Sequence, residues 1–191
     1  MGGAMSSITI NGDTSGSVIL QAPAVSGSTT LTLPTTSGTV LTTANTFGAG
    51  LGPAFLVSLI TTSQSISVST YTKVQFNNVN YDTASDWDAV NYRFIPSVAG
   101  YYQFNLNITM SATSITETIT TLWKNGAETV WSAILGGSSF SRCTPVVSTI
   151  LYMNGTTDYI EGYGYIRGGT SPVFIADNMR TSLSGCLIRS A

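Results

Sequence analysis

The stretch from Gly100 to Ala112, GYYQFNLNITMSA, alternates with period two over most of its length. Successive side chains of a strand point to opposite faces, so Tyr102, Phe104, Leu106, Ile108 and Met110 share one face and Tyr101, Gln103, Asn105, Asn107 and Thr109 the other. The first set is apolar and asks for a core. The second is uncharged and rich in asparagine.

The rest of residues 54–191 follows the same rule, with strand signals separated by turn signals and no convincing helical period. AFLVSLI from Ala54, SISVS from Ser65, TKVQF from Thr72 and NYRFI from Asn91 precede the long strand. ITETITTLWK from Ile115 and AETVWSAI from Ala127 flank Asn125-Gly126, a dipeptide that readily supplies the two positive φ angles of a type I′ hairpin. TPVVSTILYM, YIEGYGYI and VFIADNMRTSLSGCLIRS complete the set, the last ending almost at the final residue, as a terminus tied into a sheet would. The expected fold class is all-β, a sandwich or barrel.

Residues 8–46 are different in texture. Short apolar pairs such as Val18, Leu20 and Leu31, Leu33 are separated by Gly, Pro and Ser, and each piece is too short to bury a face alone. Three chains wound around one axis would supply the missing partners; a flexible leader is the other reading. FGAGLGP, residues 47–53, is a Gly-rich hinge. The expected organisation is a stem over 1–46, the hinge over 47–53 and a head over 54–191.

Composition limits the partners. Charged residues are 8% of the chain, against roughly 25% in an ordinary soluble domain, so hydroxyls and amides must cover the surface, as suits a protein held in an assembly. The net charge is −2 and the seven Lys and Arg are scattered, which leaves no footprint for a phosphate backbone; no nucleic-acid partner is expected. No apolar run is long enough to span a membrane, and the first residues, MGGAMSSITINGD, lack the basic start and apolar centre of a signal peptide, so neither membrane insertion nor secretion by that route is expected. Cys143 and Cys186 lie in strand-like stretches, where buried free thiols are commoner than a disulfide; whether they pair is left open.

The chain contains no histidine, which removes the usual general base, Ser-His-Asp and Cys-His nucleophiles and most zinc sites. Glycosidase chemistry needs two carboxylates about 5 to 9.5 Å apart, and among the head's acids only Asp82, Asp86 and Asp88 cluster in sequence. Their loop, NYDTASDWD, reads as a solvated connection, as an oxygen-rich Ca²⁺ site lacking the Gly and terminal Glu of an EF-hand, or as a ligand contact with Trp87 between Asp86 and Asp88. No cofactor is otherwise expected. Sugar recognition pairs aromatic faces with polar side chains, for which Trp87, Trp131, Tyr163 and Tyr165 are available; Trp123 and Trp131 fit packing in the sandwich or a subunit interface better.

Four motifs in order carry a resemblance. They are Phe94-x-Pro96-x-x-x-Gly100-x-Tyr102-x-Phe104, Leu122-Trp123-Lys124-Asn125-Gly126, Leu151-Tyr152-Met153-Asn154-Gly155 with Asp158 and Tyr159, and Ser182-Leu183-Ser184-Gly185-Cys186-Leu187. Residues 54–190 so resemble the tumour necrosis factor and complement C1q superfamily of trimeric jelly rolls, with two departures: Thr156 and Thr157 displace Asp158, and Leu183 stands where the family usually has Phe. The resemblance implies a closed homotrimer with Tyr102 and Tyr159 facing its axis, core packing being the other account of each. Leu20-Gln21-Ala22-Pro23-x4-Ser28-x2-Leu31-Thr32-Leu33-Pro34-x3-Gly38-Thr39-Val40-Leu41 resembles the short repeats of phage tail-fibre and other virion proteins. Together these imply a virion fibre or spike made in the host cytoplasm, attached to other virion proteins through residues 1–50. Its head would bind a host-surface receptor such as a glycan, with Trp87, Asp86, Asp88, Tyr163 and Tyr165 as candidate contacts. A capsid decoration with a purely structural role and a carbohydrate-active enzyme are the alternatives.

Overall fold

The structure is a computed structural model that describes residues 7–11, 13–21, 52–177 and 179–191. Most of the expected stem, and the hinge up to Leu51, lie outside the described residues. The chain divides into two units, Met1–Thr42 and Thr43–Ala191.

In the first unit, β1 (Ser7–Asn11) and β2 (Ser17–Gln21) pair antiparallel, with Ile8 opposite Leu20 and Ile10 opposite Val18. Ile8, Ile10 and Ile19 are exposed on this hairpin.

The second unit contains β3 (Ala54–Ser58), β4 (Gln64–Ser65), β5 (Thr72–Lys73), β6 (Asn78–Asp82), β7 (Trp87–Asp88), β8 (Arg93–Phe94), β9 (Gly100–Asn107), β10 (Met110–Lys124), β11 (Ala127–Cys143), β12 (Val146–Met153), β13 (Ile160–Arg167), β14 (Val173–Phe174) and β15 (Ser182–Ser190). One sheet has five strands in the order β12-β9-β15-β3-β6. The other has eight, ordered β4-β14-β10-β13-β8-β7, with β11 on β10 and β5 on β13. Every pairing is antiparallel, and the non-sequential strand orders make this a jelly-roll sandwich.

The core lies between the sheets. β9 turns Tyr102, Phe104 and Leu106 inward, as its alternation requires, and all three are fully buried. Phe55 stacks on Phe94 at 4.0 Å between ring centroids, and Phe94 meets Tyr102 edge-on at 5.8 Å, so one aromatic column ties the sheets together. Opposite them, Gly162 and Gly164 of β13 face inward; a Cβ on Gly164 would sit 2.6 Å from the Phe174 ring, so that ring fills the space a side chain would occupy.

Four expectations are corrected. The long strand does not run unbroken from Gly100 to Ala112: the chain leaves the five-stranded sheet after Asn107 and joins the eight-stranded one at Met110. Alternation survives this corner because Ile108 and Met110 still point into the common core. Thr109, expected on the polar outer face, is fully buried there; its N–H donates to the Arg180 carbonyl and its hydroxyl bonds to the same oxygen and to Thr144. The segment read as the loop NYDTASDWD contains most of β6 and all of β7. Finally, Cys143 and Cys186 are both free, but Cys143 is only half-buried and Cys186 is exposed.

The Asn125-Gly126 turn forms as expected, with φ of 54° and 78°, and closes β10 onto β11 by pairing Lys124 with Ala127. The departure at Asp158 is accommodated by Asn154, whose Oδ1 accepts from the backbone N–H groups of Thr156, Thr157 and Asp158. That turn delivers Asp158 to Lys124, Asn125 and the Asn154 N–H, and so ties two loops together.

Candidate functional site

The alternation that buries Tyr102 turns Tyr101 outward, and this defines the first surface. Register sets Tyr101 opposite Tyr152, Gln103 opposite Ile150, Asn105 opposite Ser148 and Asn107 opposite Val146. Tyr101, Tyr152, Val146 and Ile150 are all exposed, the last at 55%. The two tyrosine rings meet edge-on at 5.5 Å. Between them and Val146, the Gln103 amide donates to the Ser148 hydroxyl, which donates to Asn105 Oδ1, so the polar members are satisfied within the face. Neither β9 nor β12 contains a charged residue. Charge comes only to its margin, where Arg189 of β15 pairs with Tyr101 and the Lys124 ammonium lies 6.0 Å from the Tyr152 ring centre; exposed rings and branched aliphatics in such a setting fit the buried centre of a protein interface, where charges are depleted and tyrosine is enriched.

The second surface lies on the eight-stranded sheet. Pairing Thr121 with Tyr163 and Ile119 with Tyr165 puts both tyrosines on the outer face of β13. Trp123 stacks on Tyr163 at 4.1 Å and 19°, and Tyr71 packs on Tyr165 at 5.1 Å and on Trp123 at 6.1 Å. Lys73 Nζ lies 2.6 Å from Glu161 and 6.0 Å from the centre of the Tyr163 ring, and Arg167 reaches Glu117 at 3.5 Å. Burial, then the neighbouring charge of Glu128, raises the pKa of Tyr71; burial, then Glu161, does the same for Tyr163. Both hydroxyls therefore stay protonated well above neutral pH. The strip is aromatic and hydroxylated, with Lys73 paired to Glu161 and Arg167 to Glu117, and with Glu128 beside Tyr71.

The expected site residues separate in space. Tyr163 and Tyr165 come together as described, and they gather Tyr71, Trp123 and Lys73, which the sequence reading did not group with them. Trp87 is half-buried rather than exposed, with its ring centroid 6.1 Å from those of both Phe55 and Phe76. β7 pairs with β8, and this draws the ring into the sandwich. Asp86 is 8% exposed, and its Oδ2 is without a hydrogen bond among the described residues. Asp88 is engaged locally, accepting from Asn91 Nδ2 at 2.7 Å and Arg93 Nε at 3.0 Å; the Asn91 side chain, then its backbone N–H, hold the carboxyl at a pKa of about 2. Asp82 caps the turn by accepting from the N–H groups of Ala84 and Trp87. The three acids thus diverge, and among the described residues no group of three acids or cysteines converges on a metal-sized site.

Tyr102, expected by resemblance at a trimer axis, is fully buried within the chain's own core, and its hydroxyl donates to the Val98 carbonyl at 2.8 Å. An inward residue of a sandwich fills its own core, so its neighbour Tyr101 takes the outward place. Tyr159 is half-buried beside the Asn125-Gly126 turn, with the Arg93 guanidinium 4.8 Å from its ring centre. Trp123 lies on the outer sheet face rather than in the sandwich, and Trp131, on β11 opposite Thr121, is 62% exposed.

The fold is an all-β jelly roll with exposed aromatic and aliphatic side chains on β9 and β12 of one sheet and an aromatic strip on the other. The C1q domain model matches residues 54–156, more than half the chain, and the chain belongs to the C1q domain family. Three solved structures share the fold. The globular domain of zebrafish complement 1qA protein is 17% identical, with a TM-score of 0.54, over 73% of this chain and 99% of that one. Eiger TNF from S. frugiperda is 11% identical, with a TM-score of 0.57, over 73% and 95%. Murine APRIL is 9% identical, with a TM-score of 0.55, over 71% and 98%. No curated protein matches the chain.

Proposed function

We propose that this chain is the subunit of a homotrimeric, non-enzymatic recognition head carried on a phage virion fibre, with the outer face of the five-stranded sheet packed against two further copies and the eight-stranded sheet left free to meet a host-surface glycan. The observation that carries the proposal is the exposed face built from the uncharged Tyr101, Val146, Ile150 and Tyr152 on two strands that carry no charged residue. An apolar surface of this kind is poorly suited to water and well suited to closed association of identical chains. Family membership supports threefold closure, and the stacked strip of Tyr71, Trp123, Tyr163 and Tyr165 supports sugar contact, because aromatic rings pack on the C–H faces of pyranoses while hydroxyls at their rims bond to the sugar's own.

The virion assignment rests on the stem-like sequence of residues 20–41 and on the β1-β2 hairpin, whose exposed isoleucines gain cover when three copies run side by side. Residues 1–50 are proposed to attach the trimer to other virion proteins. Ile150→Asp tests the interface: sedimentation velocity should show the trimer dissociating while circular dichroism keeps its β signature, and an undisturbed trimer would remove this face from the assembly. Antibody-gold labelling of intact particles tests the location; particles that never carry the label would remove the virion role.

A further inference from the structure

A groove of about 390 Å³ opens at the edge of the eight-stranded sheet, where β4, the segment after β5 and the turn before β8 meet. Its walls include Thr62, Ser63, Gln64, Gln75, Asn77 and Tyr92, and no lining residue carries a charge. The volume lies in the range of pockets that hold small organic ligands.

Several of these groups are held in place. Gln64 Nε2 donates to the Lys73 carbonyl at 2.8 Å and its Oε1 accepts from the Gln75 N–H at 2.9 Å. Asn77 Oδ1 accepts from the Ile60 N–H, and Ser63 Oγ from the Ala176 N–H, both at 3.0 Å. The groove thus has preset amides and hydroxyls beside Gln75, whose exposed side-chain amide makes no hydrogen bond to any described residue. Tyr92 completes the wall from a backbone φ of 52°, a conformation that a bulky side chain seldom adopts and that concentrates at ligand sites.

The groove and the aromatic strip have Lys73 as a common neighbour. Its carbonyl holds Gln64, and its ammonium bonds the Asn91 carbonyl at 3.2 Å beside Tyr92 and lies over the Tyr163 ring. That ammonium is paired with Glu161, and Arg93, next to Tyr92 in the chain, is paired with Asp88, so neither neighbouring cation is left for an anionic ligand. Donors, acceptors, one aromatic ring and no free charge are the chemistry that recognises a neutral, polyhydroxylated ring.

We propose that this groove is a saccharide pocket that takes one neutral sugar residue of a glycan whose neighbouring residues lie along the Tyr163 strip, with Tyr92 as its stacking face and Gln64, Gln75 and Asn77 as its hydrogen-bonding groups. The proposal rests on reading the head as a glycan-binding module and names the pocket and the ligand's charge class.

The test is saturation-transfer NMR and titration calorimetry on the full chain, using methyl glycosides of glucose, galactose, mannose, rhamnose and N-acetylglucosamine, with N-acetylneuraminic acid as the charged comparison. At least one neutral glycoside should bind, with saturation reaching its ring protons from Tyr92. Tyr92→Gly removes the ring and suits the positive φ, so it should leave the melting temperature unlowered while weakening binding about tenfold or more. Gln75→Ala should weaken binding in the same assay without unfolding the chain. Absence of binding by every neutral glycoside, equal binding by Tyr92→Gly, or preference for N-acetylneuraminic acid would overturn the proposal. Adsorption of the labelled chain to cells that the particle infects separates the two readings. If it adsorbs and Tyr92→Gly adsorbs equally, the pocket falls and the receptor role stands; if it fails to adsorb yet binds a glycoside through Tyr92, the receptor role falls and the pocket stands.

Discussion

Replacing Asp158 by Ala is expected to destabilise the head by about 2 to 3 kcal/mol, since it removes a mostly buried carboxylate with three donors. Lys124 Nζ approaches it at 2.8 Å, Asn125 Nδ2 at 2.7 Å and the Asn154 N–H at 3.0 Å. Loss of the carboxylate leaves the two neutral donors in a half-buried corner at about 1 kcal/mol each, and the Lys124 charge, itself partly exposed, contributes a similar or smaller amount. For a unit of this size that corresponds to a melting temperature lower by about 5 to 15 °C. Urea titration followed by tryptophan fluorescence, at one fixed chain concentration, measures it. The sign with pH is defined as well. Burial pushes the Asp158 carboxyl up, but the bonds from Lys124, Asn125 and the Asn154 N–H together outweigh it and leave the pKa lowered. Its contribution is therefore present above the ordinary carboxylate range and lost as pH falls through the folded value, so Asp158→Ala should be less acid-sensitive than the parent. A variant within about 0.5 kcal/mol of the parent, with an unchanged acid profile, would refute the role of this knot.

Three further outcomes follow from particular contacts. Gly164→Ala should destabilise by about 1 to 3 kcal/mol in the same titration, because its Cβ would stand 2.6 Å from the Phe174 ring and 2.9 Å from Met110 Cε. Gly126→Ala should destabilise by about 1 kcal/mol through its φ of 78°. Asp88, held at a pKa of about 2, stabilises the fold above its unfolded value near 4; that contribution should fade between pH about 4 and 2, and Asp88→Ala should flatten stability-versus-pH data in that window.

The parts of the fold that depend on neighbours in sequence were legible. Alternation in β9 identified Tyr102, Phe104 and Leu106 as inward, and Asn125-Gly126 identified a hairpin that forms with both φ angles positive. The sheet switch at Thr109 was not legible, since inward residues continue in step through the corner and only the hydrogen bonds to Arg180, far along the chain, reveal it. The cover of Trp87 was not legible, because Phe55 comes from β3 and Phe76 from the segment between β5 and β6. The strip was half legible: Tyr163-x-Tyr165 between glycines marks one face of a strand, whereas Tyr71 and Trp123 reach it only through long-range pairing. The groove at Tyr92 had no sequence signal, because positive φ at a tyrosine is imposed by the surrounding structure.

Self-association through the five-stranded sheet is the claim on which the recognition head depends, and multi-angle light scattering of the purified full chain tests it most directly. The account predicts a single species at three times the 20.0 kDa chain mass, held over dilution. A species at the mass of one chain at every concentration would contradict it.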